Sequence, residues 1–210
     1  MNTEIFAQEN TMEAFQACLK LPVNGIELDV HLSSDGHVVV IRDADSLSTE
    51  NELVSSFTTL SEVYTLLSGT KLTVNVELKT LDYPCPDLVE KLINLEQQHN
   101  MDGRVIYTSL NHYSLQELKQ QHPSAKIGLI YNMGMVDPWE YAKKMGAYSI
   151  NPHFSVIKSN PSIVKSAQEN GIKVHTWTVN EPADIEQMGK CGVDAIITDK
   201  PKVAFFLLDE

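Results

Sequence analysis

The sequence predicts an α/β protein, a single (β/α)8 TIM barrel, and three observations carry that expectation. Short β-branched runs recur along the chain with helix-like segments between them, the alternation that yields parallel strands joined by crossover helices. Eight such runs can be counted. The length of 210 residues suits one domain spanning 1–210, since α/β barrels run to about 250 residues.

The expected barrel strands lie near residues 3 to 7, 25 to 31, 72 to 79, 104 to 109, 126 to 131, 147 to 151, 172 to 179 and 194 to 198. Between them, helix starts are marked by Asn10-Thr11-Met12-Glu13 and by Thr59-Leu60-Ser61-Glu62, the latter resembling a capping box. Asp87, Ser114 and Ser162 each precede apolar residues at helical spacing, and Gly171 and Gly192 stand where helices should end. One element breaks the pattern: Val30 to Ile41 is two strand-like runs around a tight polar turn. That makes an antiparallel hairpin, an excursion over residues 37 to 42 after the second strand and not a ninth barrel strand.

Composition narrows the function. Twenty-eight acidic against sixteen basic residues give a net charge of −12, with no Lys/Arg cluster, which disfavours nucleic acid and anionic membrane surfaces. The longest apolar run, Val203 to Leu208, falls far short of the roughly 20 residues of a membrane span. The first ten residues lack the basic flank and apolar stretch of a secretory signal, so a cytoplasmic location is expected. Cys18, Cys85 and Cys191 are widely spaced and form no CxxC pair, which argues against a disulfide framework or a cysteine-built zinc site.

The chemistry is concentrated in two strands. In Gly25 to His31, alternation puts Glu27, Asp29 and His31 on one face and Ile26, Leu28 and Val30 on the other. In Val74 to Lys79 the same arithmetic groups Asn75, Glu77 and Lys79. Adjacent strands would then point three carboxylates, a lysine and a histidine into one interior. Buried carboxylates need a partner cation, and oxygen ligands suit a hard divalent ion, Mg2+ or Ca2+, at the C-terminal strand ends where barrel active sites sit.

These residues resemble those of the glycerophosphodiester phosphodiesterase family. The matching stretches are Glu9-Asn10-Thr11 with Ala14-Phe15, Gly25 to Leu32 with Asp35-Gly36, Val39-Val40-Ile41 before Asp43, and Asn75 to Lys79. Gly171 to Asn180 and Gly192 to Pro201 follow, so the resemblance covers nearly the whole chain. It implies hydrolysis of small-molecule glycerophosphodiesters to glycerol 3-phosphate and an alcohol, with a divalent metal on Glu27, Asp29 and Glu77. Lys79 would contact the phosphate and Trp177 would line the pocket; packing in the core, on a face shared with His175 and Val179, is the alternative for Trp177, and a structural pair with Glu77 the alternative for Lys79.

The resemblance also implies two histidines for proton transfer, and here the chain departs twice. The His-Arg-Gly loop expected after the first strand is missing, since Ile5-Phe6-Ala7 runs through Gln8 directly into Glu9; this reads as a shortened first βα loop, or as a chain whose first strand lies upstream of Met1. The second histidine position, after the hairpin's apolar run, holds Arg42. Arginine keeps its proton and cannot serve as a base, though it can hold an anionic phosphate. His31, on the face of Glu27 and Asp29, is the candidate substitute acid/base; support of a neighbouring acid is its alternative role. Asn111, Asn151, His153 and His175 lie near strand ends and are read as packing or capping residues first. Two functions therefore compete: a metal-dependent phosphodiesterase with weakened proton chemistry, and a non-catalytic barrel that binds metal and phosphate esters.

Overall fold

Ile26, Leu28 and Val30 alternate with Glu27, Asp29 and His31, and this period of two forms β1 (Gly25–Leu32), its apolar set buried. The computed structural model describes residues 7–43, 57–80 and 85–208, which fall into two units, one within 7–125 and one within 126–208. The expected strand at 3 to 7 lies outside the described residues except for Ala7.

In the first unit β1 pairs in parallel with β3 (Thr73–Leu78), with Glu27 opposite Asn75 and Asp29 opposite Glu77. β3 in turn pairs in parallel with β4 (Val105–Ser109). On the other edge of β1 the chain returns as β2 (Val38–Val40), antiparallel, with Val30 opposite Val40, so the expected hairpin is present. Its turn is closed by Ser33, whose Oγ accepts from the His37 N–H and donates to Asp35, and by Gly36 at φ +84°, a conformation a side chain would strain.

Among the described residues the helices of this unit are α1 (Met12–Cys18), α2 (Leu60–Leu67), α3 (Pro86–Gln98) and α4 (His112–Gln121). Thr59 and Glu62 form the capping box that the sequence announces, and α2 buries Leu60, Val63, Tyr64 and Leu67. Two other starts differ from expectation. α3 begins at Pro86, whose fixed φ suits a first helical position, so Asp87 sits inside the first turn. α4 begins at His112 with Asn111 as its cap, accepting from the Tyr113 N–H, while Ser114 is buried against Thr80.

The second unit orders β5 (Lys126–Tyr131), β6 (Ser149–Pro152), β7 (Lys173–Thr176) and β8 (Ala195–Ile196) as parallel neighbours in chain order. Its helices are α5 (Pro138–Met145), α6 (Phe154–Ser159), α7 (Ser162–Glu169), α8 (Pro182–Cys191) and α9 (Pro201–Leu208). α7 starts at Ser162 itself, after Pro161. α6 is too short to leave a periodic signal and was not expected. β7 and β8 are shorter than expected, although backbone bonds run on past them, from the Ile197 N–H to Thr176 and from the Val179 N–H to Ile197; beyond these, Asn180 Oδ1 accepts from Thr198 Oγ1 and from the Asp199 N–H. Gly171 and Gly192 end α7 and α8 at φ +76° and +75°, as glycines following helices do. Among the described residues no helix is long and apolar enough to cross a membrane.

Candidate active site

The register of β1 against β3 decides the site. With Asp29 opposite Glu77 and Glu27 one pleat earlier, carboxylate oxygens of all three lie within 4.8 Å of one another. Asp29 is buried; Glu27 and Glu77 are half-buried. Lys79 follows β3, its N–H still on the Val30 carbonyl, and its Nζ stands 3.1 Å from Glu77 Oε1 and 3.7 Å from Asp29 Oδ1. Glu27, Asp29, Glu77 and Lys79, four of the six residues taken from strand alternation, are thus brought together.

Arg42 joins them from just beyond β2. Its Nη2 contacts Glu9 Oε2 at 2.6 Å, and its Nε lies 3.6 Å from Asp29 Oδ2. His31 is buried behind it, with Nε2 3.1 Å from the Arg42 carbonyl oxygen, to which it donates when that nitrogen is protonated. The histidine therefore positions the backbone of the arginine that occupies the expected histidine place.

Two residues important to the geometry were recognised in the sequence only as part of a motif. Asn10 donates from Nδ2 to Asp29 Oδ2 at 3.1 Å and accepts at Oδ1 from the Asp29 N–H at 3.2 Å, fixing both ends of that residue. It does so at φ +59°, a left-handed conformation that asparagine tolerates better than most residues. Next to it Glu9 holds Arg42, and Thr11 caps α1 by accepting from the Ala14 N–H. The asparagine beside a helix-capping threonine was the available signal. Asn10→Ala is expected to cost about 2 to 3 kcal/mol, from an unpaired Asp29 N–H and left-handed strain, and Asn10→Gly about 1 kcal/mol less. Urea unfolding of the two variants checks this; equal losses would remove the strain from the account.

Electrostatics show what the cluster lacks. Burial pushes the Glu27 carboxyl well above the usual carboxylate range, the charges of Asp29 and Glu77 push the same way, and Arg42 and Lys79 oppose without cancelling them. Glu77 is raised as well, first by burial, with Lys79 opposing. Burial alone would lower the Lys79 ammonium, but Glu77 and Asp29 outweigh it and raise it. Four carboxylates, counting Glu9, thus meet two cations, and the converging oxygens fit a hard divalent ion such as Mg2+ or Ca2+.

The remaining candidates hold structural positions. Asn111 caps α4 and donates to the Thr80 carbonyl, and His153 Nδ1 accepts from the Ser155 N–H at the start of α6. In the second unit Trp177 is half-buried beyond the end of β7; its Nε1 donates to the Asn151 carbonyl at 2.8 Å and its ring meets His153 edge-on.

Comparison with known proteins gives a consistent result. The model of the glycerophosphoryl diester phosphodiesterase family matches residues 2–80 and 45–203. A glycerophosphodiester phosphodiesterase of Caldanaerobacter subterraneus subsp. tengcongensis is 39% identical over 226 aligned residues, covering 95% of this chain and 92% of its own. Among solved structures, a glycerophosphodiester phosphodiesterase from Parabacteroides distasonis superimposes with a TM-score of 0.85 at 21% identity, covering 98% of this chain and 94% of its own. A phosphodiesterase from Oleispira antarctica, in complex with the product sn-glycerol-3-phosphate, does so at 0.83 and 21%, covering 96% and 92%. These likenesses establish the α/β fold of the (β/α)8 class that the strand alternation predicts.

Proposed function

The chain belongs to the glycerophosphoryl diester phosphodiesterase family, and on that premise we propose that it hydrolyses a glycerophosphodiester slowly to glycerol 3-phosphate and an alcohol. The observation that carries this reading is the convergence of Glu27, Asp29 and Glu77, with Lys79 between two of them. These three carboxylates would hold Mg2+ or Ca2+, which when bound supplies charge stabilisation to the phosphoryl oxygens. Lys79 adds a fixed positive charge for the phosphate, and Arg42 a second one. The family resemblance also assigns a substrate contact to Trp177.

Proton transfer is the weak point. The family's two histidines are each worth about 10² to 10⁴ in rate, and Arg42 cannot replace the one whose place it takes. His31 is assigned the substitute role: with Nε2 on the Arg42 carbonyl, Nδ1 is the nitrogen left to take a proton. A small anionic ester paired with a cation also suits a chain of net charge −12 better than nucleic acid or an anionic membrane does, and free Cys18, Cys85 and Cys191 suit a cytoplasmic setting.

A second reading, a non-catalytic binder of metal and phosphate esters, is favoured by one observation: Arg42 is held at 2.6 Å by Glu9. The deciding experiment measures glycerol 3-phosphate release from glycerophosphocholine and glycerophosphoethanolamine with Mg2+, Ca2+ or chelator. Metal-dependent turnover is expected; none, with metal binding intact, would favour the binder. Arg42→His is expected to raise turnover by no more than about a hundredfold, restoring one of two proton-transfer groups and releasing Glu9. Recovery to the rate of the Caldanaerobacter relative would show that one histidine suffices.

A further inference from the structure

The face of β3 that carries Glu77 also carries Asn75, a residue to which the proposed chemistry gives no task. Asn75 stands directly opposite Glu27 of β1 and one pleat before Glu77; on its other side it meets Ile106 of β4, while Glu77 meets Thr108. The amide is tied at one end only. Its Nδ2 donates to Thr108 Oγ1 at 3.1 Å, and Thr108 is fully buried. Its Oδ1 is shut away from solvent and has no hydrogen-bond partner among the described residues. An enclosed carbonyl oxygen without a donor is an uncommon and costly state.

The register explains why no side chain supplies that donor. On this face Asn75 has for neighbours Glu27 and Glu77, which only accept when ionised, and Ile106, which neither accepts nor donates. Thr108 already takes the amide N–H. A water at this oxygen would give one proton to Asn75 and the other to a carboxylate, and its lone pairs would find no donor among these groups. A cation meets that need. Mg2+ and Ca2+ take oxygen ligands and keep waters in their shells, so an amide oxygen set beside converging carboxylates is matched to such an ion.

On the metal-dependent reading of the site, we infer that Asn75 is a positioning residue for the cation: its Oδ1 accepts from a water in the shell of the ion held by Glu27, Asp29 and Glu77. The inference rests on that reading and adds a residue to it. Supporting bonds of this kind are worth about 10- to 100-fold in metal affinity. Asn75 therefore carries an unpaired oxygen in the metal-free protein and a paired one in the loaded protein, which makes the ion's binding tighter than three carboxylates alone would.

The test is calorimetric titration of the whole protein with Mg2+ and with Ca2+, without substrate, for the wild type, Asn75→Leu, Asn75→Asp and Thr108→Val. For the ion that the wild type binds more tightly, Asn75→Leu, which removes the oxygen at similar volume, is expected to lose about tenfold or more in affinity. That ion should also raise its melting temperature by less than it raises that of the wild type. Thr108→Val removes the amide's tether but keeps its oxygen, and should lose less. Asn75→Asp keeps an acceptor in place and adds charge, so its affinity should equal or exceed that of the wild type. Unchanged affinity in Asn75→Leu would overturn the assignment, as would an equal loss in Thr108→Val, which would reduce the role to packing. A loss in Asn75→Asp would overturn it as well, by showing that the amide N–H and not the oxygen faces the acids, and this result decides alone if Asn75→Leu does not fold. A wild type that binds neither ion removes the cation site and this inference together, whereas binding undiminished in Asn75→Leu removes this inference alone; release of glycerol 3-phosphate enters neither result.

Discussion

Replacing Glu77 by alanine is expected to lower divalent-metal-dependent release of glycerol 3-phosphate by at least about a hundredfold while leaving the protein folded. The carboxylate is one of three whose oxygens converge within 4.8 Å, and it is the nearest acid to Lys79. Without it a hard cation keeps two carboxylates, and the charge stabilisation lost at the phosphoryl group amounts to several kcal/mol, a factor of roughly 10² to 10³ in rate. Lys79 then turns to Asp29, already 3.7 Å away. Folding should not suffer, because burial makes ionised Glu77 costly to the metal-free protein. Thermal melts with and without Mg2+ complete the test: the wild type should be stabilised by the ion and the variant should not. Undiminished metal-dependent turnover in Glu77→Ala would remove these carboxylates from the mechanism.

Acidification should weaken the second unit through His175. This side chain is buried, edge-on to Tyr148. Burial lowers its pKa from 6.5 to about 4, Lys173 pushes the same way and Asp194 opposes. The unfolded chain therefore binds a proton that the folded chain refuses. No stability is lost above pH 6.5; below it stability falls until pH reaches about 4, by a total on the order of 3 kcal/mol. His175→Gln does not titrate and should flatten that part of the profile. The free energy of urea unfolding, compared between variant and wild type from neutral pH downward, measures the effect as a difference in which the carboxylates cancel. Parallel profiles would mean that His175 is protonated in the folded protein.

The strands of the site were legible because a period of two leaves little freedom: once Ile26, Leu28 and Val30 face the core, Glu27 and Asp29 face away from it together. Lys79 followed by the same count. The roles of Glu9 and Asn10 were not legible, since they depend on the left-handed backbone of Asn10, on its contacts across 19 residues to Asp29 and on the pairing of Glu9 with Arg42, none of which has a local pattern. His31 shared the right face, but its bond to the Arg42 carbonyl arises from the hairpin's return. Helix starts slipped where two caps competed, as Asn111 did with Ser114. The ends of β7 and β8 were not legible, since the apolar pattern runs on past them and the backbone bonds from the Ile197 N–H to Thr176 and from the Val179 N–H to Ile197 continue beyond the regular ladder.

Glu9, Asn10 and Thr11 each send their side chain to a different destination, namely Arg42, Asp29 and the first turn of α1. Three neighbouring codons therefore set the phase between a helix and the acid at the centre of the site. Inserting or deleting one residue inside the tripeptide would rotate every one of these connections out of place at once, whereas changes upstream of Glu9 leave the wiring among them intact. The segment is accordingly where length variation should be least tolerated. A scan of single-residue insertions across residues 7 to 13 would map that boundary as a sharp drop in folded yield.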